Sequence, residues 1–374
     1  MKYYAEYVSR GHPDRLCDQI VERIVTYVVS KDKDALCGLE CAVHTNKVFV
    51  DGRIAAGKEE IVIDNEKIKE IVKQVYQDSH YGENNLHGHI VKWHPYPDEL
   101  EIYLDVCIET LSDDERDLRK YSDDQNVVNG YAINSPNMNY LPIAHYIANI
   151  IGEHYFGYRD EYIGPDYKIL VQISDDNGKY EWDRFTISTQ HKGDTKFETI
   201  YKSVKKDMEA LLRYHLKGEM FDSLHKIEEK KFYLNGAGDF IQGGPEGDNG
   251  LSGKKLCIDF YGPEIPIGGG AISGKDPHKI DVCGAFRARE LALKLVKEYG
   301  FYSVFTSLAW SPGEKYPHSI KAYSIDQFGT RMEIDESLLP PKDWFSIECI
   351  NNDLKLNEIE RDKTLMSGYM FSIK

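Results

Sequence analysis

The sequence has no long apolar run. Nowhere do its 374 residues approach the ~18 consecutive apolar side chains of a membrane-spanning helix. The opening MKYYAEYVSRGHPD also lacks the apolar centre of a secretory signal, so a cytoplasmic protein that engages no membrane is expected. Basic residues are in deficit: 46 Lys+Arg against 62 Asp+Glu give a formal charge of −16. That balance disfavours nucleic acid and anionic lipid as partners yet permits a local cationic pocket. The seven cysteines are odd in number and include no CxxC pair, so neither a disulfide framework nor a zinc site is indicated, and a reducing compartment fits. The P-loop pattern GxxxxGK[ST] is missing too, because Lys275 is followed by Asp276, which sets aside a generic P-loop kinase. No internal repeat is visible at the level of residues.

Glycine, by contrast, is concentrated. Ten of the 30 glycines fall between Gly243 and Gly274, in GGPEGDNGLSGKKLCIDFYGPEIPIGGGAISG. Two glycine-rich loops flank a strand-like run, KLCIDF, and lysines accompany both. Glycine lets a backbone approach an anion and aim several N–H groups at it, and lysine adds charge that reaches phosphate oxygens. The stretch reads as a polyphosphate cradle. Hydrophobic residues at 41% suffice for sizeable cores.

Three blocks, 1–110, 120–231 and 232–374, each mix helices and strands, which suggests α+β or α/β domains with sheets covered on one side. In the first, Pro13 opens a helix with Leu16, Ile20, Ile24 and Val28 on one face and Asp18, Glu22 and Arg23 on a polar side. LECAVHTNKVFVDGRI reads as two strands about a turn at Thr45–Lys47, residues 58–77 as a helix and 103–109 as a strand. The charged stretch 111–126 reads as a mobile loop or junction. The second block offers a helix near 142–156, strands KILVQIS and FTIST, and a helix near 196–216. Residues 217–231 return to polar character. The third has a helix near 281–298, strands near 303–309 and 318–324, and an irregular end broken at Pro340–Pro341.

SRGHPDRLCDQI, from Ser9 to Ile20, puts His12 at a helix N-terminus, a place already suited to phosphate, with Asp14 placed to hold magnesium. Alone, both residues would be plain helix caps. They occur, however, in one ordered set: GHPDR, GPDYK (164–168), STQH (188–191), GGPEGDNGLSGKK and GGGAISGKDPHKID. The set resembles the S-adenosylmethionine synthetase family, whose patterns are GHPDK, RPD-x-K, STQH, GGP-x-GD-x-GLTGRK and GGGAFSGKD-x-x-KVD. The resemblance runs from about Tyr4 to Asp335 and weakens beyond.

The resemblance implies three similar α+β domains of mixed sheet plus helices around a pseudo-threefold axis. It implies a homodimer, or a dimer of dimers, with active sites at the interface. It also implies a reaction in which the sulfur of methionine attacks C5′ of ATP, triphosphate leaves, and the enzyme cleaves that triphosphate to pyrophosphate and phosphate. Two Mg2+ ions and K+ are the implied cofactors. Position by position, His12 matches the triphosphate histidine, Asp14 and Asp281 the magnesium ligands, and Glu40 the potassium ligand. Asp166 and Lys168 match an ATP-contacting pair, Phe240 an aromatic near adenine, and Asp248 an aspartate shared by ATP and methionine. Lys254 stands where arginine is usual and loses its bidentate fork. Lys255 and Lys275 match triphosphate lysines, and Lys279 a lysine near methionine. Asp124 and Gln125 match the family's GDQG. Catalytic roles fall to His12, Lys168, Lys275 and Asp124. Singly, each of these lysines would be a solvated charge and each carboxylate a surface or cap residue.

Departures gather on the methionine side. Arg53 replaces a glutamate that contacts the amino acid, and the segment around Thr110 and Leu111 replaces a glutamine-bearing one, with a shorter loop before Asp124. Arg10, Arg15, Asp239, Ile272 and Val282 also differ. Methionine is therefore the first acceptor to consider. Another thioether, favoured by the cation of Arg53, and a nucleotide-binding subunit without turnover are the alternatives.

Overall fold

The computed structural model describes residues 1–176 and 178–373. The chain opens with β1 (Lys2–Val8), α1 (Pro13–Lys31), β2 (Leu36–His44), β3 (Lys47–Ala55), α2 (Asn65–Asp78), β4 (Gly82–Leu86), β5 (His89–Trp93) and β6 (Glu101–Glu109). Next come α3 (Asp113–Leu118), β7 (Asn126–Ile133), α4 (Ile143–Tyr158), β8 (Ile163–Asp176), β9 (Lys179–His191), α5 (Phe197–His215) and α6 (Gly218–Leu224). The last part holds β10 (Phe232–Leu234), β11 (Gly250–Leu251), α7 (Leu256–Asp259), α8 (Ile280–Tyr299), β12 (Ser303–Trp310), β13 (Ser319–Ile325), β14 (Arg331–Glu333), α9 (Ile347–Leu354) and α10 (Arg361–Thr364).

Three four-stranded sheets result, ordered β1-β8-β9-β10, β11-β2-β3-β6 and β14-β13-β12-β7, with β4 and β5 as a separate hairpin. Each is a mixed or antiparallel sheet with helices on one face: α1 on β2, α4 on β1 and β8, α8 on β7 and β12. Strand alternation explains the one-sided cover. In β6, Ile102, Leu104, Val106 and Ile108 pack on the core while Tyr103, Asp105, Cys107 and Glu109 are exposed, the period-two signature of a half-buried strand. Three separate apolar cores lie beneath the three sheets.

The sheets cut across the blocks 1–110, 120–231 and 232–374. β1 lies antiparallel to β8 with Val8 opposite Lys168. β7 lies beside β12, and β11 beside β2. These exchanges bring motifs far apart in sequence onto neighbouring strands.

Four local expectations change. KLCIDF is not a strand: α7 closes its own helical bonds, Asp259 N–H to Lys255 O at 3.0 Å and Phe260 N–H to Leu256 O at 3.1 Å. Ile258, Asp259 and Phe260 are all buried in succession, which an alternating strand cannot do. The stretch 111–126 contains α3, started by a reciprocal capping box between Ser112 and Glu115. The helix placed at 58–77 begins only at Asn65, where the Asp64 carboxylate accepts from Lys67 N–H at 2.8 Å. The polar stretch 217–231 includes α6.

Candidate active site

The polar side of α1 does not face water. Asp14, Asp18 and Glu22 are four residues apart, so they line one face of the helix, and all three are buried. Each accepts a backbone N–H from the glycine-rich loops: Asp14 Oδ1 from Leu251 at 2.9 Å, Asp18 Oδ1 from Gly253 at 2.8 Å, and Glu22 Oε1 from Gly274 at 3.1 Å. This acidic ladder is the frame on which both loops hang. Its charge is met by Arg15, which reaches Asp259 at 2.7 Å and Asp18 at 3.4 Å, and by Arg361 from α10, which reaches Glu22 at 3.1 Å. Burial nonetheless pushes the Glu22 carboxyl up to about 7, against the pull of Arg361. Gly274 has φ +81°, and a Cβ there would lie 2.1 Å from Leu39 O, so the loop can sit this close only with glycine.

The first loop helps form a cleft of about 320 Å³ lined by His12, Asp166, Lys168, Phe240, Gly243 and Asp248, among others. His12 caps α1, and its Nδ1 accepts from Asp14 N–H at 3.2 Å. Burial, then the nearby Lys255 charge, lowers the imidazole to about 4. The ring is thus neutral near pH 7, and with Nδ1 accepting, the proton is on Nε2. Burial opposes the Asp14 carboxylate, but hydrogen bonds from Lys255 Nζ and Leu251 N–H outweigh it and hold the group below its ordinary value. Lys254 Nζ lies 3.6 Å from the same carboxylate. Asp166 Oδ2 accepts from Gly244 N–H at 2.8 Å, and burial pushes this carboxyl up to about 7. Lys168, on the outer face of β8, pairs with Glu6 of β1 at 2.8 Å. Phe240 is fixed from behind by the STQH segment: its N–H donates to His191 Nε2 at 3.1 Å, and His191 N–H donates to Phe240 O at 2.9 Å.

The second loop forms a neighbouring group. Lys275 Nζ pairs with Asp281 Oδ2 at 2.9 Å. Gly270 lies against this pair, for a Cβ there would fall 1.4 Å from Asp281 Oδ1. The backbone of Lys275 bridges to Gly38 of β2, and its carbonyl accepts from Arg361. Lys279 pairs with Asp123 at 2.6 Å. Asp124, the next residue, is exposed, and its carboxylate accepts its neighbour Gln125 N–H at 2.8 Å. Glu40 stands on the exposed face of β2, two residues from Gly38, and accepts from Ser252 Oγ at 2.7 Å. Arg53 lies opposite Gly38, but Glu109 at 3.0 Å and Glu115 at 2.7 Å occupy its guanidinium. Asp248 is exposed at the cleft edge and accepts from Asn249 N–H at 2.8 Å.

Among the described residues no three His, Cys, Asp or Glu converge as a ready-made metal cage. Asp14 and Asp281 instead supply one carboxylate each, beside lysines suited to phosphate. That donor set fits Mg2+, which is commonly held by one or two carboxylates plus substrate phosphates and water.

Comparison with known proteins decides between a nucleotide cradle and something more specific. Residues 1–93, 119–240 and 242–372 match the N-terminal, central and C-terminal domain models of S-adenosylmethionine synthetase. The chain belongs to the S-adenosylmethionine synthetase family. The S-adenosylmethionine synthase of Paracoccus denitrificans is 30% identical over 333 residues, 88% of this chain and 81% of that protein. That of Clostridium botulinum is 30% identical over 337 residues, 88% of this chain and 82% of that protein. The match to the family's C-terminal domain continues to residue 372, well past Asp335.

Several supporting residues escaped sequence reasoning. Asp18 and Glu22 read only as part of a polar helix side; their four-residue step with Asp14 is the signal that marks the ladder. Arg361 lies where the family motifs fade. His191 belonged to a recognised motif but acts behind Phe240. Among the departures, Ile272 and Val282 are core residues, Arg15 is the ladder's counter-charge, and Arg10 lies 5.4 Å from the Phe156 ring centroid.

Proposed function

We propose that the chain joins methionine to the adenosyl group of ATP, giving S-adenosylmethionine, and cleaves the released triphosphate to pyrophosphate and phosphate. The observation that carries this reading is the convergence of His12, Asp166, Lys168, Phe240 and Asp248 on one cleft, beside Asp14, Lys254 and Lys255. Methionine sulfur is neutral and needs no base to attack C5′, so catalysis rests on in-line placement and on stabilising the triphosphate as it leaves. Neutral His12 donates from Nε2 to a phosphate oxygen. Lys168, Lys254, Lys255 and Lys275 supply positive charge along the chain of phosphates. Phe240, braced by His191, offers a face for adenine. Asp248 and Lys279 serve the amino-acid end of methionine.

Asp14 and Asp281 are the residues that would hold Mg2+, and Glu40 a potassium ion; bound there, the metals would neutralise phosphate charge. Asp124, pointing to solvent, is assigned to a site completed by a second copy. The exposed Phe49 and Tyr103 share the outer face of their sheet with Arg53, and Tyr4 shares its own with Glu6, partner of Lys168. These faces support a C2 homodimer whose sites lie between sheets, in the cytoplasm.

The engagement of Arg53 by Glu109 and Glu115 removes the free cation that favoured another thioether, so methionine is the acceptor supported here. Mass spectrometry of products from ATP, methionine, Mg2+ and K+ tests the reading. A sulfonium product with equal release of pyrophosphate and phosphate is expected. Folded protein giving none over a wide methionine range would overturn it.

A further inference from the structure

A second hollow, of about 290 Å³, lies between the α1–β2 turn, the end of α3, the segment just after Lys275, and α9. It shares no lining residue with the cleft around His12. In a chain of charge −16 its wall carries Lys33, Arg116, Arg119 and Lys120 against only Asp34 and Glu348. Arg116 and Arg119 are committed to holding the wall together. Arg116 grips Asp32 and Gly57 O, each at 3.0 Å, and Asp34 at 3.4 Å. Arg119 pairs with the buried Asp276 and donates to the carbonyls of Asp34 and Ala35, both at 3.2 Å. His278 closes the floor, its ring nitrogens 3.2 Å from Arg119 O and 3.1 Å from Lys33 O.

Two lysine side chains and two buried polar atoms of this frame make no ion pair or hydrogen bond among the described residues, Lys120 Nζ lying only over the Tyr121 ring, 5.6 Å from its centroid. Lys33 and Lys120 are exposed and, among the described residues, form no ion pair. Arg116 Nε and Asn351 Oδ1 are buried without a hydrogen-bond partner, although the Asn351 amide nitrogen is occupied by Ile347 O at 3.2 Å. Buried polar atoms of this kind ordinarily have partners, and a hollow of this size accommodates a small metabolite.

We propose that the hollow is a binding site for a small polyanion, carboxylate or phosphate in type, that also carries a hydroxyl. The two lysines take the anionic groups, Arg116 Nε–H donates to one of their oxygens, and the hydroxyl donates to Asn351 Oδ1. Because Asp276 and His278 sit between Lys275 and Lys279, the occupant would rest directly behind the segment that carries both.

Calorimetric titration of the whole protein, free of metal, with citrate and separately with glycerol 2-phosphate tests this. One-to-one binding of at least one of them is expected, and which one distinguishes carboxylate from phosphate preference. The double substitution Lys33→Glu/Lys120→Glu should weaken it at least about tenfold by reversing both charges. Lys275→Ala, whose lesion lies in the ATP site, should leave it intact. Asn351→Asp, which puts a negative charge beside the bound anion, should also weaken it and serves if the double variant fails to fold. Absence of saturable binding with either probe, binding unchanged in the double variant, or binding lost in Lys275→Ala alone would each overturn the proposal. None of these outcomes depends on whether methionine is the acceptor.

Discussion

Asp166 should make the protein less stable as pH rises, and Asp166→Asn should remove that loss. The carboxyl is almost wholly enclosed, accepts a single backbone N–H from Gly244, and is pushed from an ordinary 3.8 to about 7, chiefly by burial. Between those two pH values the folded chain keeps a proton that the unfolded chain has released. Stability from this group is therefore fully present at low pH, falls as pH rises, and levels off above about 7. Each pH unit in that window is worth about 1.4 kcal/mol, so the whole interval amounts to roughly 4 kcal/mol, an upper figure. Asparagine keeps the shape and one oxygen for Gly244 but has no charge to bury. Urea unfolding of both proteins near pH 5 and near pH 8 should show the variant's advantage growing by about 2–3 kcal/mol between them. Differencing against wild type cancels the other buried carboxyls, such as Glu22. Turnover should nevertheless fall, since the same carboxylate lines the cleft proposed for ATP, an instance of stability given up for a functional site. A gap that is flat with pH, or that narrows, would show that Asp166 is not held protonated by its surroundings.

Lys275→Ala should lower kcat about 10²–10³-fold, as removal of one preorganised charge-stabilising group commonly does, while circular dichroism stays unchanged; near-normal turnover would remove Lys275 from the triphosphate site. His191→Ala should raise the KM for ATP with a smaller effect on kcat, because it frees the Phe240 backbone without touching the phosphates; an effect on kcat alone would contradict a positioning role. Arg361→Met should strand the buried Glu22 and cost about 3–5 kcal/mol in urea unfolding, the larger part above pH 7; a change confined to a few tenths would mean that the ladder does not need this cation.

Much of the fold was legible because its elements obey simple periods. The α1 stripe Leu16–Ile20–Ile24–Val28 and the strands around Thr45–Lys47 need only local pattern. What periodicity cannot supply is the identity of the opposing surface. It marks Asp18 and Glu22 as a separate face of α1 but not whether that face meets water or a row of unpaired N–H groups. The same gap explains KLCIDF, where apolar alternation suggested a strand. Its position between two loops hung from α1, with Asp259 drawn in to Arg15, makes a single helical turn instead.

The site was legible to a different degree in its two halves. The phosphate half is carried by contiguous motifs whose chemistry is short-range: a capped helix, two glycine loops and adjacent lysines. Their assembly depends on strand exchange, since β1 must lie beside β8 to bring His12 to Asp166 and Lys168. The amino-acid half depends on single side chains whose partners lie elsewhere in sequence. Arg53 is the clearest case. Read alone it is a free cation facing the acceptor; in the fold it belongs to Glu109 and to Glu115 of α3, and Arg116 and Arg119 tie that same connection to Asp32 and Asp276. Three arginines therefore fix the segment between β6 and β7. Where the family resemblance leads one to expect a carboxylate, position 53 thus carries an arginine that anchors the neighbouring segment. On the proposed reading the acceptor end is bounded by this braced wall, with Lys279, itself paired with Asp123 at 2.6 Å, and the exposed Asp248 as the recognition groups.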